Sequence, residues 1–175
     1  AEALSKALDG RAFPAVWYGA FDPGERKHLD QNAHGHILSP VEGAPHALTQ
    51  LRAWNIRVMA YIQSIIYQND VDTPEARAER AEAAAAVSRD REGQPHYYSH
   101  TNLYAMCRAS TWWQDRIELL ADRAMEAGFG GIYLDSFGKG SAECFAPDHG
   151  HPLGGGNTTI ACQRIMARRV RRAAK

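Results

Sequence analysis

The sequence predicts an α/β fold, a partial (β/α)8 TIM-type barrel of about three to four βα units. Three observations carry this expectation. Strand-like apolar runs alternate with helical patterns along the chain. The segments after the strands are long and polar, whereas the turns after the helices are short, as in barrels whose site is built from the loops after the strands. The clearest strand, residues 129–135, is short, apolar and preceded by a helix, the pattern of a parallel strand buried on both faces. A complete barrel takes ~250 residues. At 175 residues the chain reads as the N-terminal half of a barrel, excerpted from a longer protein. An open doubly wound sheet would carry a Gly-rich dinucleotide loop after its first strand, and the sequence has none there.

The elements follow in order. Residues 13–22 are rich in β-formers and close at Asp22-Pro23-Gly24, so a strand is expected, followed by a polar loop over 23–43 with His28, His34 and His36. Leu48, Leu51 and Trp54 recur at helical spacing, which predicts a helix over 45–54. Residues 57–67 are β-branched and aromatic and read as one strand ending at Gln68-Asn69-Asp70. Thr73-Pro74-Glu75 starts a helix that the Ala-rich pattern carries to about Asp90. A strand or hairpin is expected within 96–106. Thr111 and Gln114 fit a capping box ahead of a helix lined by Trp113, Ile117, Leu120, Ala121 and Ala124, and Gly128 ends it. After strand 129–135 a Gly-rich loop runs to Gly156. Asn157 then caps a last helix striped by Cys162, Ile165, Met166, Val170 and Ala173.

Composition excludes several function classes. Twenty Lys and Arg balance twenty Asp and Glu, so no net charge draws the chain to nucleic acid or membrane surfaces. Arg164, Arg168, Arg169, Arg171, Arg172 and Lys175 are read as a solvated helix end favoured by the helix dipole, not as a nucleic-acid patch. Apolar runs are far shorter than a membrane span. Three cysteines are too few for a disulfide scaffold. The chain begins at Ala1 without a basic and apolar leader.

Asp135 is the leading catalytic candidate, since it closes a buried parallel strand where barrel carboxylates act. The alternative is a loop cap that accepts backbone N–H groups. Tyr133 shares its face by two-residue alternation. Trp17 and Asp22, in and after the first strand, and Gln63 and Asn69, at and after the second, are candidate sugar contacts; for Trp17 core packing is the competing role. The loop 143–156 brings Cys144, Asp148, His149 and His151 within eight residues. Its imidazoles suit sugar hydroxyls. The same four residues form an alternative metal set, although their spacing matches no standard zinc pattern.

Residues 106–156 resemble a group of largely uncharacterised bacterial glycoside-hydrolase-like barrel domains, similar in plan to the α-galactosidase and endo-α-N-acetylgalactosaminidase barrels. Met106-Cys107, Trp113-Gln114, Gly131-Ile132-Tyr133-Leu134-Asp135 and Cys144 followed by His149-Gly150-His151-Pro152 carry the resemblance. Arg108 departs from it, because the family usually has Pro after Met-Cys. The resemblance implies a retaining glycoside hydrolase without cofactor, secreted or periplasmic, acting on oligo- or polysaccharide. It makes Asp135 the nucleophile at the end of a fourth strand, with Ser136, Lys139 and loop amides as hydrogen-bond donors. The acid/base carboxylate would lie on a later strand, outside this chain. His149 and His151 would hold sugar hydroxyls, and the remaining barrel strands would be the chain's structural partner. A non-catalytic carbohydrate-binding barrel and a metal-dependent hydrolase are the alternatives. In an exported protein, Cys107 and Cys144 are a candidate disulfide pair.

Overall fold

A computed structural model of the chain describes residues 2–7, 9, 11–17, 34–36, 39–139 and 143–175. It is a mixed α/β fold with a parallel sheet. Ten elements run in order: α1 (Glu2–Ala7), β1 (Phe13–Trp17), α2 (Ala44–Ala53), β2 (Ile56–Gln63), β3 (Ile66–Gln68), α3 (Pro74–Ala85), β4 (Leu103–Ala105), α4 (Thr111–Glu126), β5 (Gly131–Asp135) and α5 (Thr158–Ala173). Strands β1, β2 and β5 form the parallel sheet with β2 central. The short strands β3 and β4 pair antiparallel beside it. Among the described residues Asp135 therefore closes the third parallel strand, where a fourth was expected.

Parallel strands need crossovers, and α2 and α4 supply them on one face of the sheet. Leu48 of α2 and Ala124 of α4 pack on Ile56, Val58 and Ala60 of β2. The expected stripe of α4 is buried at every position from Trp113 to Ala124. It meets Ile62, with Met166 and Val170 of α5 behind it. Both helices turn straight into a strand. Asn55 has φ 57° and Gly128 has φ 96°, left-handed conformations that Asn tolerates and Gly adopts freely. Side chains alternate along β2 and β5, so Tyr61, Gln63, Tyr133 and Asp135 stand on the face away from these helices.

Several boundaries differ from expectation. The single strand over 57–67 is two, because the chain bends at Ser64 and Ile65 and leaves the parallel sheet to pair with β4. Helix α3 starts as expected, with the Thr73 hydroxyl accepting from the Ala76 N–H at 3.2 Å. It stops at Ala85 because the next residues bond across to the β4 segment: Ser88 N–H to Ala105 O and Cys107 N–H to Ala86 O. The capping box does not form. Ser110 is the cap residue and makes no side-chain cap bond, while the Gln114 amide turns to the Arg108 carbonyl at 2.8 Å. Asn157 also caps without a side-chain bond. Ile165 is exposed, leaving Cys162, Met166 and Val170 as the buried stripe of α5. On that helix Arg169 and Arg172 bind Glu118, and Arg169 also binds Asp115. Among the described residues, no helix is long and apolar enough to cross a membrane.

Helices α3 and α4 are joined by a buried polar contact. Arg116 pairs with Glu79, which also accepts the Tyr67 hydroxyl at 3.0 Å. Burial, and then the Glu79 carboxylate, hold the Tyr67 phenol well above its usual pKa, so it stays a donor. Glu79→Ala leaves the Arg116 guanidinium buried and unpaired, and a loss of about 3 kcal/mol is expected from urea unfolding midpoints. Asp72→Ala removes an exposed partner of Arg77 and should cost less than about 1 kcal/mol. Equal losses for the two variants would contradict this assignment.

Candidate functional site

The register of β2 and β5 places Gln63 opposite Asp135 and Tyr61 opposite Tyr133. Asp135 is half-buried at the strand end. Its Oδ2 accepts the Tyr61 hydroxyl in a short hydrogen bond and the Gln63 amide N–H at 3.2 Å. Among the described residues Oδ1 carries no hydrogen bond, and no backbone N–H donates to the carboxylate. The main-chain carbonyl does the anchoring: Ser64 donates its hydroxyl to Asp135 O at 2.6 Å and its N–H at 3.2 Å. The indole of fully buried Trp113 in turn donates to the Ser64 carbonyl at 2.9 Å. A cap would use the carboxylate on loop amides. Among the described residues the carboxylate is held by two side chains, and Oδ1 has no hydrogen-bond partner.

The donors differ from those expected. Lys139 does not reach Asp135: its ammonium donates to the Tyr98 hydroxyl at 3.0 Å and lies over that ring. This bond lowers the Tyr98 pKa from its ordinary value, because a donor to the phenolic oxygen favours the ionised form. Ser136 accepts from the Gln63 amide at 3.3 Å. Tyr61 had no place among the expected site residues. The signal for it was two-residue alternation from Gln63 along β2, the same rule that paired Tyr133 with Asp135. Tyr133 is exposed and stacks on Tyr61 with ring centroids 5.8 Å apart. Gln63 is buried, and its Oε1 has no hydrogen-bond partner among the described residues.

Other expected contacts lie elsewhere. Trp17 pairs with Ala60, on the helix-facing side, and packs on Phe129 at 6.2 Å, so it takes the core role. Asn69 sits beyond the bend, donating to the Thr101 carbonyl at 3.0 Å, and ties the β3–β4 pair rather than facing Asp135. Asp22 lies outside the described residues. His149 and His151 face sulfur instead of open space. His149 Nδ1 is 3.4 Å from Cys144 Sγ, and His151 Nε2 is 3.3 Å from Cys107 Sγ. These four residues converge, with all four ligand atoms within 4.8 Å of one another. Asp148 is outside the group: it is exposed, with Oδ1 4.0 Å from the opposite nitrogen of His149. Among the described residues Cys107, Cys144 and Cys162 are all free thiols. The Cys107 thiol, then the His149 imidazole, pull the Cys144 pKa strongly down against the effect of burial. The Cys144 sulfur pushes those of Cys107 and His149 up.

Arg108 is the residue that departs from the resembling domains. It is buried, and its guanidinium donates to the carbonyls of Ser136 at 3.0 Å and Lys139 at 2.7 Å. It thus closes the turn that follows Asp135, where Ser136 holds φ 55°.

A family model described as "Domain of unknown function (DUF6259)" matches residues 26–175. No curated protein matches the chain at a significant level. Solved structures do. The α-N-acetylgalactosaminidase NagBb of Bifidobacterium bifidum, in complex with GalNAc, is 15% identical with a TM-score of 0.64. The match covers 96% of this chain and 26% of that one. The α-galactosidase TtGalA of Thermus thermophilus, with p-nitrophenyl α-D-galactopyranoside, is 18% identical with a TM-score of 0.54 and coverages of 99% and 33%. The glycoside hydrolase domain of PelA from Pseudomonas aeruginosa is 18% identical with a TM-score of 0.50 and coverages of 92% and 54%. The fold is therefore that of a part of these glycoside hydrolases, and the chain spans about a quarter to a half of their length.

Arg108→Met keeps much of the packing but leaves two carbonyls without their donor. Bonds from a charged donor are worth about 1.5–3 kcal/mol. Hydrogen exchange in the segment around Ser136–Lys139 should speed up severalfold while α4 stays protected. Unchanged exchange there would show that Arg108 does not hold this turn.

Proposed function

We propose, from the premise that this chain belongs to the DUF6259 family, that it is the nucleophile-bearing part of a glycoside hydrolase acting on oligo- or polysaccharide. The observation that carries the reading is the Asp135 carboxylate, with Oδ2 fixed by Tyr61 and Gln63 and Oδ1 available. Two side-chain donors set the plane of the carboxylate and so orient its other oxygen for attack on an anomeric carbon. Asp135 Oδ1 attacks that carbon as its bond to the glycosidic oxygen breaks, an acid protonates that oxygen so that the alcohol departs, and a glycosyl ester forms. Water hydrolyses the ester in a second step, so configuration is retained.

The exposed Tyr133 ring, stacked on Tyr61, offers the apolar face of a pyranose a surface. The reaction also needs an acid ~5 Å from the nucleophile. We assign it to a strand beyond this chain, in line with the coverage of 26% and 33% of the neighbouring glycosidases. On this reading the chain is the N-terminal half of a barrel and its remaining strands are the structural partner. The fragment alone does not turn over substrate.

The test is turnover of activated aryl glycosides by the complete protein, beginning with α-galactosides and α-N-acetylgalactosaminides because the neighbours are named for them. Asp135→Asn should retain fold and sugar binding and lose roughly 4–7 kcal/mol of barrier lowering, at 1.36 kcal/mol per tenfold. More than about a tenth of the original rate, less than 1.36 kcal/mol lost, would remove Asp135 from the role. Tyr61→Phe should lower turnover about tenfold to a hundredfold with little change in sugar affinity, since it removes one hydrogen bond to a charged group. Parent protein that binds sugars and turns over none would make the barrel a binding module.

A further inference from the structure

The loop expected to hold sugar hydroxyls sets both of its histidines against cysteine sulfurs. Cys107 comes from the segment between β4 and α4, and Cys144, His149 and His151 come from the segment between β5 and α5. The four ligand atoms lie within 4.8 Å of one another. Tetrahedral zinc with ~2.3 Å bonds to sulfur and ~2.0–2.1 Å bonds to nitrogen separates its ligands by roughly 3.3–3.8 Å. The two sulfur–nitrogen separations across the facing pairs, 3.3 and 3.4 Å, fall at the near end of that range.

The orientation of the imidazoles is the second observation. His149 Nε2 donates to the Ala85 carbonyl at 2.7 Å, so in the neutral ring that a metal ion requires the lone pair is on Nδ1, which faces Cys144. His151 Nδ1 gives its proton to the Pro152 carbonyl at 2.8 Å, which leaves Nε2, facing Cys107, with a lone pair. Each ring therefore has its tautomer set by a carbonyl behind it and its lone pair aimed into the cluster, the arrangement of metal-bound histidines. Cys107, Cys144 and His149 are buried, and Ala146 and Ala109 pack around the sulfurs. Beside them is a cavity of about 20 Å³.

We propose that Cys107, Cys144, His149 and His151 bind one zinc ion, as a closed structural site. Two thiolates and two imidazoles are the borderline-soft donor set that suits zinc. All four positions are protein ligands, so none remains for substrate or an activated water. The site therefore does not make this protein a metal-dependent hydrolase. Binding displaces two protons to solvent, one from the Cys107 thiol and one from the Cys144–His149 pair, and forms two Zn–S and two Zn–N bonds, with no change of oxidation state. Asp148 stays outside the set. The ion would clamp the loop 143–151 to the segment that carries Arg108, whose guanidinium holds the turn behind Asp135. Sequence spacing hides this site because the fourth ligand comes from another loop. The proposal does not depend on the glycosidase reading.

The experiment uses tag-free complete protein purified under reducing conditions and measures zinc by mass spectrometry and X-ray absorption. About one zinc per chain is expected, with two sulfur neighbours at about 2.3 Å and two nitrogen neighbours at about 2.0–2.1 Å. Cys107→Ser and Cys144→Ser should each reduce zinc at least tenfold, while Asp148→Asn retains it. Should the serine variants not fold, the absorption spectrum of the unmutated protein decides. Cobalt exchanged for the zinc should add sulfur-to-metal charge-transfer bands. Folded protein with less than a tenth of an equivalent of zinc, or metal with only oxygen and nitrogen neighbours, would overturn the proposal. A Cys107–Cys144 disulfide, seen as the loss of two hydrogens from the intact mass, would overturn it too.

Discussion

The register between β2 and β5 is the constraint on which the rest depends. With Gln63 opposite Asp135 and Tyr61 opposite Tyr133, two side chains of one strand close on the carboxylate of the other. A slip of one residue would turn Tyr61 and Gln63 into the helix layer and bring Ala60 and Ile62 to the carboxylate. The helices prevent that slip. Val58, Ala60 and Ile62 are buried between α2 and α4, and exposing them would cost about 1.5–3 kcal/mol for each large side chain. Core packing thus sets the position of a polar group on the other face of the sheet.

The end of β5 is held at a second level by hydrogen bonds. Trp113 fixes the Ser64 carbonyl, and Ser64 fixes the Asp135 carbonyl with both its hydroxyl and its N–H. Ser64, with Ile65, also marks where the chain bends out of the parallel sheet toward β3. Arg108 then closes the turn beyond Asp135, and Cys107 of the Cys/His group stands one residue before Arg108 along the chain. Loop 143–156 is tied down at several points: Phe145 N–H to Arg89 O, Gly154 N–H to Cys144 O and His149 to Ala85 O. At Gly154, φ is 81° and an added Cβ would meet the Phe145 ring at 3.2 Å, so only glycine fits there. The restrained loop holds His149 and His151 against the cysteine sulfurs.

Periodicity made the parallel strands and α4 legible, because their buried faces repeat at the spacing the elements impose. Asp135 was legible for the same reason: its strand is short, apolar and preceded by a helix. What escaped depends on contacts between distant segments. The apolar run 57–67 holds no residue that announces a bend, and only pairing with β4 divides it at Ser64 and Ile65. Trp17 reads the same whether it packs or stacks, and its register with Ala60 decides. Thr111 and Gln114 have the spacing of a capping box, yet the Arg108 carbonyl takes the glutamine. The local spacing of Cys144, Asp148, His149 and His151 suggested a set that included Asp148. The fold replaces it with Cys107, which no sequence window contains.

The central claim, that Asp135 is a nucleophile poised by Tyr61 and Gln63, is tested most directly by trapping the ester. A fluorosugar with fluoride as leaving group needs little acid assistance, so it reports on the attacking carboxylate alone. The complete protein would be incubated with 5-fluoro-α-D-galactosyl fluoride and its N-acetylgalactosamino and gluco counterparts, digested, and read by mass spectrometry. The account expects one sugar per protein molecule, attached at Asp135 and absent from Asp135→Asn. Stable attachment at a different carboxylate, with Asp135 unmodified, would contradict it.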